Sequence, residues 1–276
     1  MQYALVENQR REAFSGGKGT CPQCGSAMVA KCGPQVIHHW AHSGRRNCDP
    51  WWENETPWHR QWKSLFPEHC REISHAAADG EIHRADIVTP TGIFVEVQHS
   101  AISDAERASR EAFYGNLVWI VDGRSFANNF DIYHMLPDPR SAVAQDLVWG
   151  KAQRQMKGAN AGLFIRVSEA SEYYPGVTKA TVRGGEIHSI RKIENEIIAS
   201  YCGHHQYDWV RPRRTWLDAK CPVYIDFGED NLVRLEIYDE TNLPCIRYVS
   251  KRKFLHDVMV ETKASDIATR FYGLQN

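Results

Sequence analysis

Residues 82–100 read Ile-His-Arg-Ala-Asp-Ile-Val-Thr-Pro-Thr-Gly-Ile-Phe-Val-Glu-Val-Gln-His-Ser. Pro90 and Gly92 punctuate the middle, and β-branched and aromatic residues fill both arms, so the stretch predicts two strands joined by the turn Thr89-Pro90-Thr91-Gly92. On the second arm Val95 and Val97 share one face, while Glu96, Gln98 and Ser100 share the other. An odd-length loop or a bulge near the turn sets Asp86 across from Glu96. Two carboxylates and a carboxamide then converge on one patch. Such carboxylates repel each other unless a cation lies between them. Oxygen donors of this kind suit Mg²⁺ or Mn²⁺, which can activate a water and stabilise charge on a phosphate under attack. A solvated hairpin face gives the same alternation, so the flanking segments have to decide.

Upstream, residues 49–67 predict a helix with Thr56 as N-cap, Pro57 in the first turn and Pro67 as the stop. Trp58, Trp62, Leu65 and Phe66 form its apolar stripe, and Glu55, His59 and Lys63 recur every fourth residue along one face. A short strand is expected around Glu72-Ile73. Downstream, Ser103 caps a helix that runs to about Asn116, with Arg107, Arg110 and Tyr114 on its polar flank. The run Leu117-Val118-Trp119-Ile120-Val121 then fits a strand buried on both faces. The order is α-β-β-α-β.

The N-terminal part reads as a metal module. Cys21-Pro22-Gln23-Cys24-Gly25 is a knuckle that turns both sulfurs toward one point, and Zn²⁺ needs four nitrogen or sulfur ligands. Cys21 and Cys24 supply one pair. The second is His42 with Cys48, or His39 with His42, and Cys32 is a further candidate whose spacing is less typical. The expected ligand set is Cys21, Cys24, His42 and Cys48, with His39 as the alternative to Cys48, in a closed structural zinc site. Tyr3-Ala4-Leu5-Val6 reads as an edge strand. The glycines at 16–19 read as a turn and not as a phosphate loop, since the following Gly-Lys-Ser/Thr is missing.

The chain has 276 residues, a net charge of -1, 42% hydrophobic and 24% charged residues. No global basic field points to nucleic acid, so any such surface is local: Arg45-Arg46, Arg211-Pro212-Arg213-Arg214 or Lys251-Arg252-Lys253. No apolar run is long enough to span a bilayer and no signal-peptide pattern opens the chain, which predicts a cytoplasmic protein without a membrane. Eight cysteines are then metal ligands or buried thiols rather than disulfides. Residues 126–150 read as a loop-rich boundary with a short helix near 142–147. Residues 223–227, 232–238 and 245–249 read as strands of a small α+β module. Cys202, His204, His205 and Cys221 are a weaker zinc candidate, lacking CxxC spacing. Arg211, Arg213, Arg214 and Trp216 are equally readable as a DNA contact or a packed surface.

Taken as a set, Cys21-x-x-Cys24, His39-Trp40-Ala41-His42, Glu55-x3-His59-x3-Lys63, Ala85-Asp86-Ile87, Glu96-Val97-Gln98-x-Ser100, Arg110-x3-Tyr114 and Trp119-Ile120 resemble the CoiA-type competence proteins over roughly residues 1–125. Trp40 stands where that family usually has Phe. The resemblance implies an α/β fold: a restriction-endonuclease-like core of the PD-(D/E)XK superfamily behind a zinc-ribbon-like N-terminal module. It further implies that Asp86 and Glu96 bind the catalytic metal, that Glu55 joins the metal shell, and that Gln98 occupies the place where many relatives carry Lys. Gln orients a water by hydrogen bonds but brings no charge, so Lys63 or His59 is expected to supply the missing charge or proton. The domains expected are a zinc module at 1–50, a nuclease-like domain at 51–135 and a C-terminal α+β domain at 136–276. The function expected is a Mg²⁺- or Mn²⁺-dependent deoxyribonuclease in DNA uptake, recombination or defence, working alone, as a homo-oligomer or with a protein partner from those processes. The alternative is an inactive DNA-binding accessory protein on the same fold.

Overall fold

The structure is a computed structural model that describes residues 1–44, 48–49, 51, 55–77 and 80–267. Its first compact unit comprises residues 1–122, 219–222 and the chain from 252 onward; its second comprises residues 123–218 and 223–251.

The first unit opens with strands β1 (Tyr3–Val6), β2 (Gln9–Glu12), β3 (Lys18–Thr20), β4 (Ala27–Lys31) and β5 (His39–His42). They form one antiparallel sheet in the order β2-β1-β3-β4-β5. Met28 and Trp40 are buried at its core with Ala4 and Cys21. Contrary to expectation β1 is interior, because Gln9–Glu12 folds back on it as the edge. The turn expected at 16–19 is shorter: Lys18 and Gly19 belong to β3, which pairs with β4.

There follow α1 (Pro57–Ser64), β6 (Arg71–Ala76), β7 (Ile82–Val88), β8 (Phe94–Gln98), α2 (Asp104–Tyr114) and β9 (Leu117–Asp122). β6, β7, β8 and β9 lie side by side in that order. The first three are antiparallel, and β9 runs parallel to β8 after the α2 crossover. The α-β-β-α-β order is thus present with β6 as one more strand before the hairpin. Thr56 Oγ1 accepts the His59 N–H at 3.2 Å and so caps α1. Ser103 caps α2, and Gly115 ends it at φ +67°, a left-handed conformation that costs glycine least. β8 and β9 are buried along their whole length, as the unbroken apolar run of β9 requires.

The second unit contains β10 (Phe130–Met135), α3 (Ala142–Gln145), β11 (Leu147–Trp149), α4 (Lys157–Asn160), β12 (Leu163–Arg166), α5 (Val167–Tyr173), β13 (His188–Ser189), α6 (Glu194–Ser200), β14 (His204–Trp209), α7 (Arg214–Leu217), β15 (Val223–Asp226), β16 (Asn231–Ile237) and β17 (Pro244–Ser250). Within it the strands run side by side in the order β10-β14-β17-β16-β15, and β11-β12-β13 make a separate small sheet. Leu136, Leu147, Trp149, Phe164, Ile193 and Ile197 form a core cluster. The unit begins before β10 rather than at residue 136, because β10 pairs with β14. Residues 130–135, read as loop beside Asn128-Asn129, are therefore strand.

The chain then enters α8 (Lys251–Val260) and rejoins the first unit. Phe254, fully buried, meets Trp62 edge-on at 6.0 Å. The Asn116 amide donates to Thr262 O at 2.9 Å and accepts the Ala264 N–H at 2.6 Å. Residues 219–222 are bound likewise: Trp119 N–H donates to Pro222 O at 2.9 Å, and Glu111 accepts the Lys220 and Cys221 amides.

Candidate metal centre and carboxylate site

The knuckle folds as its sequence requires. Gly25 sits at φ +68° and its N–H returns to Cys21 O at 2.9 Å, while the Cys21 N–H reaches Ser26 O at 2.8 Å. β5 carries His42 opposite Met28 on β4. The result is a four-residue cluster, Cys21, Cys24, His42 and Cys48, whose ligand atoms all lie within 4.8 Å of one another. Cys21 and Cys48 sulfurs stand 3.7 Å apart, and Cys24 Sγ is 3.3 Å from His42 Nε2. Three thiols and an imidazole at these separations fit a tetrahedral structural metal such as zinc. Hydrogen bonds from Ser26 and the contacts with His42 and Cys21 overcome burial and bring the Cys24 thiol down to about 6, whereas burial and the Cys21 sulfur push Cys48 up to about 12. His39 is outside the cluster: its Nδ1 bonds Ile37 O at 2.8 Å. Cys32 is outside it too.

The second site lies where the hairpin faces α1. Pairs Ile87↔Val95 and Val88↔Phe94 set the register, and one step further along it Asp86 stands opposite Glu96. Gly92 at φ +85° and the Thr89 Oγ1 contact to the Ile93 N–H close the turn that fixes this register. The two carboxylates grip each other's strand: Asp86 Oδ2 accepts the Val97 N–H at 3.0 Å, and Glu96 Oε1 accepts the Asp86 N–H at 3.3 Å. Both line a cavity of about 40 Å³ together with Glu55, His59, Lys63 and Gln98, so the structure brings all six sequence-selected residues to one place.

Their roles differ. Glu55 accepts from Arg60 at 2.6 Å and from Lys63, so its carboxylate grips two cations. Lys63 also holds Glu72 at 2.9 Å and stands 4.0 Å from Asp86. Burial opposes the Lys63 charge, but Glu72, Asp86 and Glu55 together hold its pKa above the ordinary lysine value. His59 Nε2 is 4.0 Å from Asp86 Oδ2. The Gln98 amide donates to Ser100 O at 3.0 Å. Burial and the Asp86 charge push Glu96 up to about 8, against the pull of Arg110, whose guanidinium donates to Glu96 Oε2 at 2.9 Å.

Sequence reasoning missed three charged residues of this cavity: Asp49, Glu72 and Arg84. Glu72 is the most unusual. It lies between the β6–β7 pairs Arg71↔Ile87 and Ile73↔Ala85, adopts φ +47° and turns its carboxylate onto the Gln2 N–H at 3.0 Å, the Tyr3 N–H at 3.3 Å and Lys63. Burial would raise its pKa, but Lys63 and Arg84 hold it well below the usual range. The available signal was a lone Glu inside a predicted strand next to a hairpin rich in ionisable groups.

Other selected residues fall elsewhere. Arg45 and Arg46 lie outside the described residues. Trp216 is buried, and Arg213 stacks on Phe126 at 4.8 Å and bonds Ser125, so this segment packs rather than presenting a stacking aromatic. Lys251 and Lys253 pair with Asp226 and Asp257. Cys202, His204, His205 and Cys221 do not form a metal group among the described residues: Cys202 Sγ lies 3.2 Å from His204 Nδ1, and the group around His204 is Glu236 and Cys245. No helix among the described residues is long and apolar enough to cross a membrane.

A Cys₃His cluster that could hold a structural metal, on an antiparallel sheet, is followed by a mixed parallel and antiparallel sheet whose carboxylate pair has Glu96 buried and Asp86 half-buried, in a chain of mixed α/β fold. Residues 6–50 match the family model described as the competence protein CoiA, N-terminal domain, and the chain carries a domain of that CoiA type. No curated protein and no solved structure matches the chain.

Proposed function

We propose that the first unit is a Mg²⁺- or Mn²⁺-dependent nuclease acting on DNA in a competence-related process. The observation that carries this reading is the register that sets Asp86 opposite Glu96 in one polar cavity. The donor set fits the ion. Hard carboxylate oxygens are present: Asp86 accepts one backbone N–H and Glu96 accepts one backbone N–H and the Arg110 guanidinium, so both keep lone pairs for a cation. Bound there, the ion would supply Lewis acidity and a water of lowered pKa. Asp86 and Glu96 would hold it, with Gln98 orienting the water by hydrogen bonding. Lys63, locked in its protonated state, contributes charge and not a base. His59, beside Asp86, is the proton carrier. The six-residue set, the helix-hairpin-helix-strand order and the CoiA-type N-terminal match support placing the core with the PD-(D/E)XK enzymes. The free thiols suit a reducing cytoplasm.

The test is cleavage of plasmid and single-stranded DNA with Mg²⁺, Mn²⁺ or chelator. Wild type should cut only with metal, and Asp86→Ala and Glu96→Ala should each lose at least a hundredfold in rate. A wild type that cuts no substrate under any of these conditions overturns the nuclease reading. One observation favours a second reading, an accessory DNA-binding protein: Gln98 brings no cation to the site and its amide is turned to Ser100 O. Salt-dependent DNA binding without cleavage would establish it.

A further inference from the structure

Two structural threads run from the zinc cluster to the carboxylate pair, and both start at Asp49, the residue after the ligand Cys48. Asp49 is 4% exposed. Its Oδ2 accepts the Arg84 N–H at 2.9 Å, and its Oδ1 bonds His83 Nδ1 at 2.9 Å. It thereby clamps β7 two residues before Asp86. Its Oδ1 also accepts the Trp51 N–H at 3.0 Å. The Trp51 ring stacks on His83 with centroids 3.3 Å apart and planes 12° apart. The Trp51 carbonyl accepts from Arg110 at 2.9 Å, and Arg110 holds Glu96 at 2.9 Å. The knuckle is tied to the same strand independently: the Gln23 amide donates to Cys48 O at 3.3 Å and to Ile82 O at 3.1 Å.

We infer that Asp49 is a positioning residue through which the occupied zinc cluster sets the geometry of Asp86 and Glu96, so that zinc in the module and a divalent ion at the carboxylates bind with positive coupling. The inference rests on the reading of Asp86 and Glu96 as a metal site. A cluster that holds its metal fixes Cys48, hence Asp49, hence both the β7 backbone before Asp86 and the carbonyl that orients Arg110 on Glu96. Partners that orient metal ligands in this way typically change metal affinity 10- to 100-fold when removed. The coupling is reciprocal, so Mn²⁺ should in turn tighten zinc.

The experiment is Mn²⁺ binding, followed by electron paramagnetic resonance and calorimetry on the zinc-loaded full chain, with zinc content and circular dichroism recorded for every variant. Asp49→Ala should keep its zinc and its fold yet bind Mn²⁺ about 10- to 100-fold more weakly. Asp49→Asn, which keeps the shape and one accepting oxygen, serves if the alanine variant misfolds and should show a smaller loss in the same direction. In wild type, Mn²⁺ should also slow the loss of zinc to a chelating dye. Folded, zinc-loaded Asp49 variants that bind Mn²⁺ as tightly as wild type overturn the coupling and leave the carboxylate site standing. A wild type that binds no Mn²⁺, or binds it equally well as Asp86→Ala, overturns the carboxylate reading and this inference with it.

Discussion

Lys63 carries most of the electrostatic burden of the carboxylate cavity. Its ammonium, 3% exposed at the side chain, is in contact with Glu55 and Glu72 and stands 4.0 Å from Asp86. Removing one partner of a buried ion pair leaves the others charged, with neither an opposing charge nor solvent to offset them. Lys63→Met should therefore lower stability by about 3–5 kcal/mol in urea unfolding, and Glu72→Gln in the same chain should recover part of that loss. His134, in the second unit, offers a pH test. Burial, against a hydrogen bond to Asn160 O, lowers its pKa from 6.5 to about 4. Its Nε2 faces the Gln206 amide, a donor to the neutral ring. The folded state thus refuses a proton that the unfolded chain takes up below pH 6.5. The contribution is whole above that value and is lost as pH falls toward 4, by about 2–3 kcal/mol. A fall in urea midpoint between pH 7 and 4.5 that is smaller in His134→Gln would verify it. At this scale Asp86 and Glu96 were legible because a strand's period of two and a short turn determine which residues face each other. Arg84 shares the strand and face of Asp86 by the same period; Asp49 and Glu72 were not legible, because Asp49 reaches the cavity through its side-chain contact with β7, 35 positions on, and Glu72 depends on a left-handed φ that no local rule assigns to Glu.

The elements around the hairpin follow local signals closely. Thr56 and Pro57 start α1 where capping chemistry puts them, and Ser103 does the same for α2. Because the Thr56 hydroxyl takes the His59 N–H, the cap also fixes the first turn that carries a cavity residue. Thr56→Ala should cost about 1 kcal/mol in urea unfolding. What local pattern did not give was β10, whose flanking Asn and Pro residues mimic a loop while its pairing with β14, 70-odd residues on, makes it a strand. The interior place of β1 was hidden for a related reason: Gln9–Glu12 is polar and reads as surface, yet its backbone completes the sheet.

For the molecule as a whole, the cluster of Cys21, Cys24, His42 and Cys48 should hold about one zinc per chain. Metal analysis of purified protein should find it, and Cys24→Ser should abolish it and lower the melting temperature. The division of the chain into two units was the least legible feature. Composition marks loops, but it does not say that residues 219–222 and 252–267 return to strands and helices more than a hundred positions earlier. That return has a consequence during synthesis. A ribosome making this chain releases every residue of the second unit, which ends at 251, before it releases Phe254, Thr262 and Ala264, which Trp62 and Asn116 await. The part begun first is finished last. At about 5–20 residues per second, the nascent first unit remains without its closing segment for about 7–30 seconds.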